Sequence, residues 1–371
     1  MHALLTVNAT WNVWNFRRPV LEALMSQGDI VTVLAPADGA EAMLTAAGAR
    51  HLDLAMDVRG LNPARDAALA WRFHRHFGAL APDVILSWTI KNNIFGALAA
   101  RRRGIPFIPN VSGLGTAFLS GGALQRLAEG LYRTAFRGLD TVFFQNFEDR
   151  DLFLARRLVR AEQARLLPGS GIDLARFAPA PWPDGPPVFL MIARLLRDKG
   201  VVEFVDAARR VRAVHPEARF QLLGAADSAN RSAIDASTVA AWVQAGVIEH
   251  LGTTDDVRQA ITAAQIIVLP SYREGAPRTL IEGAAMARPL IATDVPGCRQ
   301  VVDDGRTGIL CRPRDGADLA KACLRMLALT PTARAAMGTA GRAKMATDYD
   351  QTHVVAAYLD AIDRARATAN R

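Results

Sequence analysis

Three cysteines in 371 residues are too few for a disulfide framework. Cys298, Cys311 and Cys323 show no metal-ligand spacing, and they read as reduced thiols of a cytosolic protein. No stretch reaches the ~18 consecutive apolar residues of a spanning helix. The N-terminal MHALLTVNATWNVWNF lacks a basic start and a long apolar core, so a first strand is expected there rather than a signal peptide. Low-complexity tracts are missing. None of His51, His74, His76, His215, His250 or His353 sits in a recognisable catalytic context. No Asp-x-Asp stands in a metal-binding context, so neither a metal nor another cofactor is expected.

What is present is a globular composition, half hydrophobic and 22% charged, long enough for two domains of ordinary size. The net charge of +8 favours polyanions or an anionic membrane surface as neighbours. Nucleic acid is not expected, because the basic groups lack interleaved aromatics on a known nucleic-acid module.

Short apolar strands alternate with helical runs through both halves of the chain. In the first half the strands include Ala3–Val7, Ile30–Ala35, Asp83–Trp88 and Pro106–Val111; in the second, Val188–Ala193, Gln265–Pro270 and Leu290–Thr293. That alternation predicts doubly wound parallel sheets, whose ligands sit beyond the carboxyl ends of the strands. A Pro/Gly/Ala-rich segment from Pro168 to Pro187 reads as a linker. The expected plan is a first domain over 1–170, a linker over 171–187 and a second domain over 188–350. A helix over 351–371 is expected to return to the first domain.

The rest of the chain is organised around Ser271–Met286, SYREGAPRTLIEGAAM. It follows a buried strand and runs through Glu274, Gly275, Ala276 and Pro277 into a helix. Pro277 suits the first helical turn, where its missing N–H costs nothing. Gly275 lets a ligand approach the backbone closely. The helix start is a natural seat for a diphosphate. Glu282 lies eight residues after Glu274, a spacing at which both carboxylates can face one cleft and hydrogen-bond sugar hydroxyls.

Glu274-x7-Glu282, followed by Ala287-Arg-Pro-Leu-Ile-Ala-Thr-Asp-Val-Pro-Gly297, resembles the signature of glycosyltransferase family 4. The resemblance implies a GT-B fold, two Rossmann-like domains facing a central cleft, and transfer with retention. It implies that Glu282 holds the ribose of a nucleotide and that Glu274 contacts the donor sugar. Arg194 and Lys199, in the loop Arg194-Leu-Leu-Arg-Asp-Lys-Gly200, match the family's Arg-x4-Lys-Gly arrangement. By resemblance they neutralise the diphosphate and stabilise the leaving nucleotide. PGSGIDLARF is similar to the family's crossing segment. Thr254 falls in the loop that usually cradles the base.

The first half departs from the common pattern. The Gly-Gly pair that many members carry after the first strand is replaced by Asn8-Ala-Thr-Trp-Asn-Val-Trp-Asn-Phe-Arg-Arg18. This form resembles a bacterial subgroup acting on lipid-linked oligosaccharides. The strand-end loop that often holds a His reads Asn110-Val-Ser-Gly here. Gly113 and Gly115, in Ser112-Gly-Leu-Gly-Thr116, are expected to bring backbone N–H groups near donor phosphate or acceptor. Lys91 and Asn92, in Trp88-Thr-Ile-Lys-Asn-Asn93, are weaker acceptor candidates, and a solvated turn is the alternative.

Leu119–Leu139 reads as a basic amphipathic helix with Leu124, Leu127, Leu131, Ala135 and Leu139 on one stripe. From Arg101 to Arg137 there are six arginines and one acidic residue, Glu129. Two roles fit: lying in an anionic membrane interface, or packing the leucines inward as an ordinary domain helix.

The resemblance implies a hexosyl- or N-acetylhexosaminyltransferase. It would use a UDP-sugar and a polyprenyl-diphosphate-linked saccharide in surface polysaccharide or glycan assembly. It would be cytoplasmic and peripheral at the inner face of the plasma membrane. Two alternatives remain at this stage: a UDP-sugar epimerase of GT-B-like fold, and a non-catalytic nucleotide-sugar-binding partner subunit. The Arg-x4-Lys and Glu-x7-Glu set argues against both.

Overall fold

The computed structural model describes residues 1–58, 60, 62–114, 122–225, 230 and 232–369. The chain divides into two compact units, Met1–Gly171 with Gln351–Arg371, and Ile172–Asp350.

The first unit is built on seven parallel strands: β1 (His2–Thr6), β2 (Ile30–Ala35), β3 (Arg50–Asp53), β4 (Val84–Trp88), β5 (Phe107–Val111), β6 (Val142–Phe144) and β7 (Ala164–Leu166). Their order is β3-β2-β1-β4-β5-β6-β7. The central strands β4 and β5 are buried along their whole length. Such continuous burial needs helices on both faces of the sheet. One face packs Leu5, Val20, Leu24, Val33 and Leu86 with Tyr358 and Ile362 of the Gln351–Ala369 helix. The other packs Leu4, Phe73, Phe77, Ile85 and Phe107 with Tyr132, Phe136 and Phe153.

The second unit carries six parallel strands: β8 (Val188–Ile192), β9 (Arg219–Leu223), β10 (Glu249–His250), β11 (Ile266–Leu269), β12 (Leu290–Thr293) and β13 (Gly308–Cys311). Their order is β10-β9-β8-β11-β12-β13. Strand order reverses between β1 and β4 in one sheet and between β8 and β11 in the other. Crevices at such switch points are where open α/β sheets bind ligands. Both sheets are therefore Rossmann-like, as the alternation of strands and helices predicts.

The segment expected as a linker is laid onto the second unit. Ile172 and Phe177 are buried in its core. Arg342 donates to the carbonyls of Leu174, Phe177 and Ala285. Arg288 is buried and donates to Ala180, Pro181, Ile261 and Thr262. Burial draws the Arg288 pKa down to about 10, so it is still charged at neutral pH. Two cations thus satisfy backbone carbonyls that an irregular segment leaves unpaired.

The basic helix spans Gly122–Ala135. Leu131 and Leu139 of the expected stripe pack against the core. Ala135 is buried, but Leu127 is 60% exposed. The aromatics decide the rotation: Tyr132 and Phe136 pack edge-on, and Tyr132 meets Phe153 with ring centroids 5.0 Å apart. Burying two large rings outweighs burying one leucine, which leaves Leu127 outside beside Arg126. Residues 119–121 of that stretch lie outside the described residues. Among the described residues no helix is long and apolar enough to cross a membrane. Cys298, Cys311 and Cys323 are buried and unbridged.

Candidate active site

The loops leaving β8 and β11, the two strands at the switch point of the second unit, carry the expected cations and carboxylate. Arg194 is exposed at the start of the first loop. Lys199 closes the 3-10 turn Arg197–Lys199. Its Nζ donates to Glu274 Oε1 at 2.5 Å, joining residues 75 apart in sequence. Their side chains are only 24% and 12% exposed, so solvent and salt screen the pair less than a surface ion pair.

Backbone stitching holds the two loops in register. The Asp198 carbonyl accepts from the Tyr272 N–H at 2.9 Å and from Ser271 Oγ at 3.2 Å. Thr293 Oγ1, at the end of β12, donates to the Ser271 carbonyl. Gly200 sits at φ +79°, and a Cβ there would collide with the Pro270 carbonyl oxygen. Tyr272 then ties the loop to the Val201–Arg212 helix, donating its hydroxyl to Glu203 at 2.7 Å. Burial first, and that hydrogen bond second, push the Tyr272 pKa up to about 12.

Glu274 is fixed from the other side by Gly297. The Glu274 N–H donates to the Pro296 carbonyl at 3.3 Å. Gly297 has φ +80°, and a Cβ on it would lie 2.6 Å from the Gly275 oxygen and 2.7 Å from the Glu274 oxygen. Next to it Cys298 is buried under the ion pair. Burial, with the Glu274 charge behind it, holds the thiol well above its ordinary range, so it is a neutral packing group.

Pro277 is the N-cap of the Arg278–Ala285 helix, one position before the expected first turn. Its carbonyl accepts from the Leu280 and Ile281 N–H groups. A cap residue uses its C=O for the first intrahelical bonds and has extended φ/ψ, which proline tolerates. Glu282 is buried in this helix and accepts from Arg278 Nε at 2.8 Å. Burial holds its carboxyl above the usual range, and the Arg278 charge offsets this only in part. Glu274 and Glu282 thus accept from different cations, Lys199 and Arg278.

The remaining candidates sit differently. Thr254 is exposed and forms a local turn with Asp256, accepting its N–H at 3.1 Å and donating to its carbonyl at 3.2 Å. The Arg258 guanidinium holds Asp256 down at about 2. In the first unit Gly113 has φ +155°, and a Cβ placed on it would meet nothing within 4 Å, an open approach to its backbone. Gly115 lies outside the described residues. Lys91 donates to Asp66 at 2.6 Å. Asn92 is fully buried, donating to Thr6 Oγ1 and accepting from Thr89 Oγ1, both at 2.9 Å. Its amide links the end of β1 to the turn that follows β4. No group of three or more His, Cys, Asp or Glu suited to a metal ion is found among the described residues.

Sequence reading placed Gly297 in the signature without giving it a role, and it missed Tyr272–Glu203 and a buried network around Tyr358. Their partners are far along the chain, and no local spacing announces them.

Comparison with known proteins gives the class. Residues 186–328 match the family model described as Glycosyl transferases group 1, and residues 13–170 match that described as Glycosyl transferase 4-like domain. Together the two cover most of the chain, which belongs to glycosyltransferase family 4 and has the GT-B fold. N,N'-diacetylbacillosaminyl-diphospho-undecaprenol alpha-1,3-N-acetylgalactosaminyltransferase of Campylobacter jejuni is 27% identical, covering 95% of this chain and 96% of the relative. Sucrose-phosphate synthase from Thermosynechococcus elongatus matches in structure with TM-score 0.81 at 20% identity, covering 99% of this chain and 100% of that one. Anabaena HepE in complex with UDP and glucose matches with TM-score 0.80 at 17% identity, covering 98% and 100%. At such identities the structural likeness speaks for the fold.

Proposed function

We propose that this chain transfers a hexose or N-acetylhexosamine from a UDP-sugar to a polyprenyl-diphosphate-linked saccharide, with retention at the anomeric carbon. The observation that carries the reading is the Lys199–Glu274 pair at the β8/β11 switch point, with Arg194 in the same loop and Glu282 buried nearby in sequence. Support comes from the Campylobacter jejuni relative, whose name gives a diphospho-undecaprenol-linked acceptor, and from the UDP and glucose of the HepE complex.

In the reaction the bond between the sugar C1 and the β-phosphate oxygen breaks, and its electron pair goes to UDP. The acceptor hydroxyl oxygen bonds to C1 on the same face, and its proton passes to the departing β-phosphate oxygen of UDP. Arg194 and Lys199 meet the charge that grows on the diphosphate, the role a metal ion fills elsewhere. Glu274 positions the sugar hydroxyls. Glu282 accepts from the ribose, Thr254 lies near the base, and the Gly275–Pro277 backbone lies along the phosphates. The first unit supplies the acceptor side, with Gly113 allowing close approach to its backbone.

The acceptor's lipid brings the enzyme to the cytoplasmic face of a membrane, and the Gly122–Ala135 helix is assigned to that contact. Arg126, Leu127, Arg133 and Arg137 are exposed on it or just after it, with Arg101, Arg102 and Arg103 exposed in the preceding helix end and turn. The one acidic residue of the helix, Glu129, is buried and already neutralised by Arg156 at 2.7 Å. Arginines around an outward leucine suit anionic headgroups. Binding to vesicles of anionic phospholipid, lost in Arg126→Glu/Arg137→Glu and absent for zwitterionic vesicles, checks this.

The function is tested by UDP release from purified protein over a panel of UDP-sugars, with and without polyprenyl-diphosphate-linked sugars. Release requiring one donor and the lipid-linked acceptor, with the product anomer matching the donor, is the expected result. Release of an epimerised free nucleotide sugar, or UDP binding without turnover of any pair, overturns it.

A further inference from the structure

We infer that the Tyr358 hydroxyl is a positioning group for the acceptor-side loops of the first unit. The role rests on the transfer reaction proposed above. Tyr358 is fully buried on the Gln351–Ala369 helix. Its oxygen accepts from Trp88 Nε1 and from Asn110 Nδ2, each at 2.8 Å. Trp88 ends β4, Asn110 is the penultimate residue of β5, and the two are register partners. One hydroxyl therefore clamps two neighbouring strand ends at their carboxyl edge, where ligands of such sheets bind.

The clamp extends into both loops. Asn93 Nδ2, just past β4, donates to the Asn110 carbonyl at 2.8 Å, and Gln145 Nε2, just past β6, donates to Asn110 Oδ1 at 3.3 Å. Thr89, held at φ +71°, donates to Asn92. A non-glycine residue in that region persists only when its surroundings over-determine it. The Arg17 guanidinium lies 5.0 Å from the Trp88 ring centroid. A phenylalanine at 358 would fill the same space as the tyrosine ring, against Phe143 at 4.9 Å. What the hydroxyl adds is an acceptor for two buried donors, which would otherwise be left unpaired or would move to find one. Movement there shifts the segments 89–93 and 112–114.

The test is Tyr358→Phe in the full chain, read by steady-state kinetics and by amide hydrogen exchange. The acceptor KM is expected to rise about tenfold, the scale of stranding a buried donor, with kcat and the UDP-sugar KM within about twofold. Exchange is expected to speed up at 89–93 and 112–114 and to stay unchanged in the β8 and β11 loops. Trp88→Phe removes one donor and should reproduce a smaller part of both effects if Tyr358→Phe folds poorly. The double variant, lacking that donor and the acceptor together, should recover part of the loss. Unchanged exchange at those segments, or donor and acceptor constants worsening together, overturns the role. Should wild type turn over no lipid-linked acceptor, the proposed reaction fails, and the exchange comparison still decides whether Tyr358 positions these loops.

Discussion

Lys199 donates to Glu274 at 2.5 Å across 75 residues of sequence, joining the loops that follow β8 and β11. A cation and a carboxylate in contact at a sheet switch point neutralise each other until something else claims them. In the proposed reaction a diphosphate would claim the lysine, and sugar hydroxyls would claim the glutamate. Each partner is held half-sheltered and pre-placed for its ligand.

Lys199→Ala is expected to lower kcat about 100- to 1,000-fold, the scale of losing one preorganised charge stabiliser. UDP release under saturating donor and acceptor measures it. A variant within threefold of wild type would sink the leaving-group role.

Glu282 couples stability to pH. Burial raises its carboxyl above the ordinary value of 4.5. The folded chain therefore holds that proton more tightly than the unfolded chain. The resulting stabilisation is complete below pH 4.5 and is lost as pH rises through the raised value. Glu282→Gln has no such proton, so urea titrations should show the stability difference shifting in the variant's favour from pH 4.5 toward neutrality. A difference independent of pH contradicts this. UDP affinity should move the other way, falling about tenfold for a lost charged hydrogen bond.

Gly297→Ala places a methyl against the carbonyls of Glu274 and Gly275 and forces a side chain into positive φ. Unfolding free energy should fall by about 1–3 kcal/mol. Turnover should fall further than stability explains at a temperature where the variant is folded, because Glu274 moves. Full turnover in a destabilised protein would show that Gly297 serves packing alone.

Arg288→Met removes the donor for four carbonyls and should cost about 3 kcal/mol in denaturant unfolding. Catalysis by the folded fraction should be unaffected. A loss below 1 kcal/mol, about the value of one ordinary hydrogen bond, would mean that the segment around Ala180 and Pro181 finds other partners.

Much of this site is legible in the sequence because its chemistry is local. Strand, loop and helix succeed each other within a few residues, so Arg194, Lys199, Glu274 and Glu282 fall at strand ends and on a helix without knowledge of any contact. Pro277 differs by one position, standing at the cap rather than in the first turn. The basic helix is amphipathic as its sequence implies, and Leu131, Ala135 and Leu139 face the core as the stripe suggests. Leu127 is the exception, because Tyr132 and Phe136 take the buried positions beside it. A polar residue after a strand suggests exposure, and Asn92 departs from that rule because its amide is spent across the β1/β4 switch. Nothing local marks Tyr358 as a functional residue, since Trp88 lies 270 residues away and Asn110 lies 248 away.

The return of Gln351–Ala369 to the first unit has a temporal side. During synthesis the first sheet emerges early, yet the helix that supplies Tyr358 follows only after the whole of Ile172–Asp350. Until then the Trp88 and Asn110 donors have no protein acceptor and meet solvent, and the apolar face formed by Leu24, Leu86 and Phe143 is uncovered. The ribosome releases the second unit into an opportunity to fold before the first is complete, reversing the usual order of N-terminal domain first. A half-made chain would present an open apolar face, with the ends of β4 and β5 not yet joined through Tyr358.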